Sequence, residues 1–171
     1  SALGALDPEV DDNSREAVIR KGIRLTSQVP MVITAHHRIR NGEQPVAAST
    51  SLRHAANFLY MMKGDVPSED AASLMDTDMV LHAEHGTNAS AFAARVVTST
   101  EANLHASITA AVAALSGPAH GGAAENVMRM AQEVGDPARA ADYVKTKRKN
   151  REAVMGFGHR VYRAEDPRAR V

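Results

Sequence analysis

A chain of 171 residues, 44% apolar and 23% charged, suits one domain or one domain plus part of another, and can bury a real core. Its 20 basic and 20 acidic residues cancel, which leaves no global field for holding nucleic acid or an anionic membrane. With no cysteine, a disulfide framework, a thiol nucleophile and a Cys-ligated metal are all excluded.

No stretch approaches the length of apolar chain that crosses a bilayer, and the N-terminus lacks a basic-then-apolar signal pattern. The expectation is a soluble, unexported, cytoplasmic protein. Aromatics are only 4%, with no Trp, so helices packed through small and flexible side chains are favoured over a β-sandwich.

Helical signals recur along the chain and strand signals do not. Asp11-Asp12-Asn13-Ser14 supplies good capping residues for a helix over 15–27, and Pro30 fits the start of a second, running to about Arg40 and stopped by Asn41-Gly42. Ser51 is placed to cap a third over 52–63, closed by Gly64. Ser68-Glu69-Asp70 opens a fourth that runs to about His85, where Gly86 ends it. A fifth helix is expected over 89–100. Leu104, Ile108, Ala111, Val112 and Leu115 then recur as one stripe expected to be buried, and Gly117-Pro118 breaks it. Val127, Met130, Ala131 and Val134 form a similar stripe, ended by Gly135-Asp136-Pro137, and a last helix covers roughly 138–152. Residues 154–166 read as a structured loop or short extended segment. The whole is an all-α pattern, with a boundary at Gly117-Pro118 dividing 1–117 from 118–171.

Four of the eight histidines, in three segments, stand in distinctive surroundings. His82 and His85 are three apart and would share a helix face, but the His-Glu-x-x-His pattern and a third ligand are missing, so no metal site is expected. His85, next to Gly86-Thr87-Asn88, would project into a cleft. His120 lies in Gly117-Pro118-Ala119-His120-Gly121-Gly122, just before a helix. The free N–H groups and positive dipole there favour a bound anion and a neutral ring, which could donate a hydrogen bond to a carbonyl oxygen becoming negative. The alternative is that His120 simply caps the helix. His159 sits among Arg160, Arg163 and Arg168 in a glycine-bearing loop, a grouping suited either to a small polyanion or to solvation. His36, His37, His54 and His105 lie within helical patterns with no special neighbours. The basic run from Lys145 to Arg151 reads as a solvated helix face.

The segments Leu81-His82-Ala83-Glu84-His85, Gly117-Pro118-Ala119-His120-Gly121-Gly122-Ala123 and Gly156-Phe157-Gly158-His159-Arg160-Val161-Tyr162-Arg163-Ala164-Glu165-Asp166-Pro167-Arg168 follow the order and spacing found in citrate synthases. Asn57-Phe58-Leu59-Tyr60-Met61 and Asn88-Ala89-Ser90 are similar too. The chain resembles that family from about Ser27 to its end, with Gly86, Ala119 and Ala124 as departures.

The resemblance implies the family's multi-helical fold, with part of the large domain in 1–117 and the start of the small domain in 118–171. It implies Claisen condensation of acetyl-CoA with oxaloacetate and hydrolysis of citryl-CoA to citrate and CoA, an acyltransferase step of the tricarboxylic acid cycle. His120 would stabilise the enol or enolate and His159 would polarise the oxaloacetate carbonyl. His85 and Arg168 would bind oxaloacetate. Arg163 would meet a coenzyme A phosphate, with Val154, Gly156 and Gly158 along the adenine. No metal or resident cofactor is implied, and a homodimer is. Because family members are about twice as long, the chain is expected to be a fragment that lacks the carboxylate base and is inactive in isolation. A 2-methylcitrate synthase using propionyl-CoA, a citryl-CoA lyase-type module and a helical binding module without catalysis remain as alternatives.

Overall fold

The computed structural model describes residues 2–84, 86–157, 163–166 and 168. Among these, every regular element is a helix. A short α1 (Ala2–Ala5) precedes α2 (Arg15–Arg40), α3 (His54–Lys63), α4 (Glu69–Ala83), α5 (Ala89–Thr98), α6 (Leu104–Leu115) and α7 (Gly122–Val134). A 3₁₀ turn (Pro137–Arg139) leads into α8 (Ala140–Lys149).

Capping chemistry sets most of the starts. The side chains of Ser14, Ser68, Asn88 and Asn103 each accept the hydrogen bond of an otherwise orphaned N–H in the first turn of α2, α4, α5 and α6. Gly64 closes α3 in the left-handed conformation, at φ 91°, and returns its N–H to Tyr60 O at 2.8 Å. The third helix begins at His54, two residues after the expected start, and its N-cap Arg53 makes no side-chain cap bond, so Ser51 does not open it.

The two helices expected over 15–27 and 30–40 are one. α2 runs through Pro30, which offers no N–H to the carbonyl four residues back. Hydroxyls on both sides keep nearby carbonyls engaged: Thr26 Oγ1 donates to Gly22 O, Ser27 Oγ to Ile23 O and Thr34 Oγ1 to Pro30 O. Packing supplies the rest, because Ala17, Lys21, Leu25 and Thr34 are buried along α2.

α5 lies against α6 in the most extensive helix pair, followed by α3 with α4 and α2 with α3, and α2 and α1 also touch α6. The apolar core consists of Ala17, Leu25, Ala55, Ala56, Met61 and Ala72. Small side chains let helix backbones approach closely, as the alanine-rich composition implies. The two expected stripes are not buried. Val112 is 57% and Leu115 46% exposed, while α6 buries His105 and Ser107 instead. α7 and α8 bury no residue fully, and neither makes comparably extensive contact with α1 to α6.

His105 does have special neighbours, contrary to its sequence context. Only 3% exposed, it puts Nε2 3.4 Å from Asp7 Oδ2, and its Nδ1 has no partner among the described residues. The N-terminal arm is tied to α2 through the same group. Arg24 donates to both oxygens of Asp7 at 2.9 and 3.0 Å and to Glu9 at 2.7 Å, and Arg20 also pairs with Glu9. Buried Lys21 donates to the carbonyls of Val10 and Asp12 at 3.2 and 2.6 Å.

Candidate active site

The loop between α6 and α7 is wound on itself. His120 N–H donates to Gly117 O at 3.0 Å, Gly121 N–H to Leu115 O at 3.0 Å, Gly122 N–H to Gly117 O at 3.3 Å and Ala123 N–H to His120 O at 3.1 Å. Two of the N–H groups expected to be free for an anion at the start of α7, those of Gly122 and Ala123, are therefore satisfied by the loop. Gly121 is required by space rather than by dihedral angle. Its φ is −64°, but a Cβ there would lie 2.3 Å from Leu115 O.

This winding directs the His120 ring to the start of α5. Its Nε2 lies 2.9 Å from Ser90 Oγ, and Ser90 Oγ lies 2.7 Å from Asn88 Oδ1. Asn88 is the N-cap of α5, and its Oδ1 also accepts from Ala91 N–H at 2.9 Å. The site thus joins residues 30 apart in sequence. Ser90 and Asn88 carry no role in the sequence reading. The available signal was an Asn-x-Ser pattern at a helix start, where Asn caps and Ser follows in the first turn.

The helix face expected to hold both His82 and His85 stops short, since α4 ends at Ala83 and Glu84 is extended. His82 points back along its own helix, with Nδ1 2.8 Å from Asp78 O. After it, Gly86 takes φ +73° and donates its N–H to Glu84 Oε1 at 2.8 Å. His85 itself, like His159 and Gly158, lies outside the described residues. No cluster of three potential metal ligands occurs among the described residues.

Residues 152–157 fold back on α7. Gly156 takes φ +80°, and a Cβ there would meet Val127 Cγ2 at 3.3 Å. Phe157 N–H closes a turn to Val154 O. His120 precedes α7, and Val127 lies roughly 7–8 Å along the helix axis from its first residue, Gly122. Ala153 and Met155 join Asn126, Arg129, Met130 and Tyr143 around a cavity of about 450 Å³. A second cavity, of about 440 Å³, lies between Leu115, Pro118, Gly121 and Gly122, and again Asn126 and Arg129.

The basic run is not uniformly solvated. Lys147 Nζ donates to Glu152 Oε2 at 2.7 Å and sits 5.4 Å from the centre of the Tyr143 ring. The Glu152 carboxylate raises the Lys147 pKa, and Lys147 lowers that of Glu152. Tyr143 donates to Glu133 Oε2 at 2.7 Å, and that bond raises the phenol's pKa.

Arg163 is exposed and makes no hydrogen bond or ion pair with another described residue. Arg168 forks onto Asp166, with Nε 3.0 Å from Oδ1 and Nη2 2.7 Å from Oδ2. A substrate carboxylate at Arg168 would share or displace Asp166. The geometry therefore joins His120 with Ser90 and Asn88, and sets Val154 and Gly156 along α7. No described contact brings Arg163 or Arg168 to His120.

The family model described as citrate synthase, C-terminal domain, matches residues 1–171. Citrate synthase 2 of Bacillus subtilis is 45% identical over 170 residues, covering 99% of this chain and 46% of that protein. The 2-methylcitrate synthase of Mycobacterium tuberculosis is 45% identical over 168 residues, covering 98% of this chain and 42% of that protein. The chain thus spans under half the length of these curated relatives. A crystal structure of citrate synthase from the thermophilic archaeon Thermoplasma acidophilum, in ternary complex with carboxymethyl coenzyme A and oxaloacetate, superposes with a TM-score of 0.80 at 32% identity. That match covers 99% of this chain and 44% of the other. With likeness running the whole length of an all-helical chain, and through the loop that turns His120 toward α5, this protein belongs to the citrate synthase family.

Proposed function

We propose that the protein takes part in condensing acetyl-CoA with oxaloacetate and hydrolysing the resulting citryl-CoA to citrate and CoA. The observation that carries this reading is the aimed histidine. His120 is held by a self-bonded loop, tethered by one ring nitrogen to Ser90, and its other nitrogen has no partner among the described residues. A ring fixed in this way can present a donor to an oxygen that gains charge as the acetyl methyl group loses its proton.

The other roles follow from the family resemblance. His159 polarises the oxaloacetate carbonyl, His85 and Arg168 hold its carboxylates, and Arg163 meets a coenzyme A phosphate. Val154, Gly156 and Gly158 lie along the adenine. No metal or resident cofactor takes part. The reaction needs a carboxylate base, and no Asp or Glu is hydrogen-bonded to His120 or Ser90 among the described residues. We therefore expect the 171-residue chain to show no turnover by itself. Residues 1–117 belong to a large domain and 118–171 to the start of a small one, a reading supported by the slight contact of α7 and α8 with the preceding helices. Closure of one over the other would exclude water from the cleft.

A second reading has a specific observation behind it: a relative of equal identity is named 2-methylcitrate synthase, so the acyl group could be propionyl. Oxaloacetate-dependent thiol release from acetyl-CoA and propionyl-CoA, measured in parallel on the catalytically complete enzyme, tests both. Faster release from acetyl-CoA supports citrate synthesis, and faster release from propionyl-CoA supports the second reading. Release from neither, with the complete enzyme, overturns the proposal.

A further inference from the structure

We propose that Glu152 is a positioning residue, clamped by Lys147 and Asn150, that sets segment 153–157 for the coenzyme A end of the thioester. The clamp begins where α8 ends. Arg151 follows the C-cap Asn150 and takes the left-handed conformation, at φ 58°, without being a glycine. Its N–H donates to Arg148 O at 3.1 Å, and the N–H of Glu152 donates to Lys147 O at 2.9 Å. This pair of bonds is a common way of closing a helix, and an apolar contact between the outer two residues often accompanies it. Here an ion pair stands in that place. Lys147 Nζ donates to Glu152 Oε2 at 2.7 Å, and Asn150 Nδ2 donates to Oε1 at 3.1 Å, so both carboxylate oxygens are engaged. A left-handed arginine persists only where its neighbours hold it, and these bonds do so on both sides of the turn.

The clamp is tied to α7 by two routes. Lys147 Nζ lies 5.4 Å from the centre of the Tyr143 ring, one turn earlier on α8, and Tyr143 donates to Glu133 Oε2 at 2.7 Å near the end of α7. Further along the segment, Gly156 takes φ +80°, and a Cβ there would come within 3.3 Å of Val127 Cγ2. Glu152 before the span and Gly156 within it therefore fix the chain between them, where Ala153 and Met155 wall the cavity with Lys147 and Tyr143. Order established before binding removes an entropy cost from binding itself. The consequence rests on the function proposed above, in which Val154 and Gly156 lie along the adenine. That end of the thioester is remote from the reacting carbon. Loss of the clamp therefore weakens binding in the ground and transition states alike and leaves the chemical step unchanged.

Two readouts on the catalytically complete enzyme separate the clamp from the reaction. Hydrogen exchange with mass spectrometry, in the absence of substrate, reads the clamp. Glu152→Gln keeps the shape of the side chain and loses its charge. It is expected to speed exchange in peptides covering 152–157 and to leave those from α5 and α6 as they are. Steady-state kinetics reads the consequence. KM for the thioester is expected to rise about 2–5-fold, what a partly exposed ion pair is worth, with kcat and KM for oxaloacetate unchanged. Lys147→Met removes the other charge and raises the same KM, and the double variant raises it no further than either change alone, because the two charges act as one unit. Unaltered exchange over 152–157 in both single variants overturns the proposal. So does a rise in KM that is multiplied in the double variant, or a fall in kcat at constant KM. Absence of turnover in the unaltered enzyme overturns the reaction proposed above instead, and the exchange measurement still decides the clamp.

Discussion

Gly121 shows how much of the candidate site depends on one atom being absent. A methyl group there would press on the carbonyl oxygen of Leu115, which is backbone and cannot rotate aside. Gly121→Ala should therefore open the loop, lower stability by about 1–3 kcal/mol and release His120 from Ser90. Thermal melting measures the first effect, and slow exchange of the ring proton reports the second. His120→Asn keeps the loop glycines but removes the imidazole. If His120 supports the oxyanion, this change should cut turnover of the complete enzyme by about 10²–10³, with smaller effect on binding of the thioester. An equal loss in Ser90→Ala would mean that aim, rather than the ring itself, limits the rate.

Among the elements, α2 carries an internal conflict between sequence and packing. Pro30 in a helix interior costs up to about 3 kcal/mol relative to Ala, yet the helix continues through it for another ten residues. Pro30→Ala should stabilise the protein, and a rise in the denaturant midpoint without a change in slope would establish it. Unchanged or lower stability would mean that the cavity between Pro30, Met31, Leu52 and Met61 depends on the proline ring. The caps give an independent check. Ser68→Ala or Asn103→Ala deletes one side-chain acceptor for a first-turn N–H and should cost about 1 kcal/mol. In a domain of this size that is a drop in melting temperature of roughly 2–4 °C.

For the whole molecule, surface and charge are the relevant quantities. The chain exposes 12610 Å², whereas a compact monomer of 18.3 kDa would expose about 8,100 Å². Phe92, Val96, Val112 and Leu115 contribute apolar surface from the α5–α6 pair. We propose that these faces are covered in a homodimer, and light scattering after size exclusion should give twice the mass of one chain. A monomer whose mass is independent of concentration would refute that. No helix among the described residues is long and apolar enough to cross a membrane.

Charge ties the N-terminal arm to α2. Burial opposes ionisation of Asp7, but the Glu9 N–H and the Arg24 guanidinium outweigh it and hold the carboxyl below its ordinary 3.8. Hydrogen bonds from Arg20 and Arg24 hold Glu9 below 4.5, and the Ser14 N–H holds Asp12 below 3.8. A depressed folded-state pKa stabilises above the ordinary carboxylate range and is lost as pH falls through the folded value. Melting temperature should therefore hold steady down to about pH 4 and decline below it. In Asp7→Asn the decline should be shallower, and an equally steep decline would show that other carboxylates dominate.

The sequence by itself determined the all-helical class, most helix positions and the unusual surroundings of His120. Those depend on local physics: caps, breakers and spacing act over a few residues. Tertiary structure alone decided that α2 runs through Pro30, because the packing that outweighs the proline comes from α3 and α6. It also decided which face of α6 is buried. The apolar stripe from Leu104 to Leu115 reads as core, yet His105 lies against Asp7 and Ser107 bonds to Thr98. Hydrophobic periodicity shows that a face exists, but the partner that covers it is fixed by distant chain. The link from His120 to Ser90 and Asn88 is of the same kind. Each residue is explicable locally as a loop histidine, a helix serine or a helix cap, and only the docking of the α6–α7 loop against the start of α5 makes them one hydrogen-bonded unit.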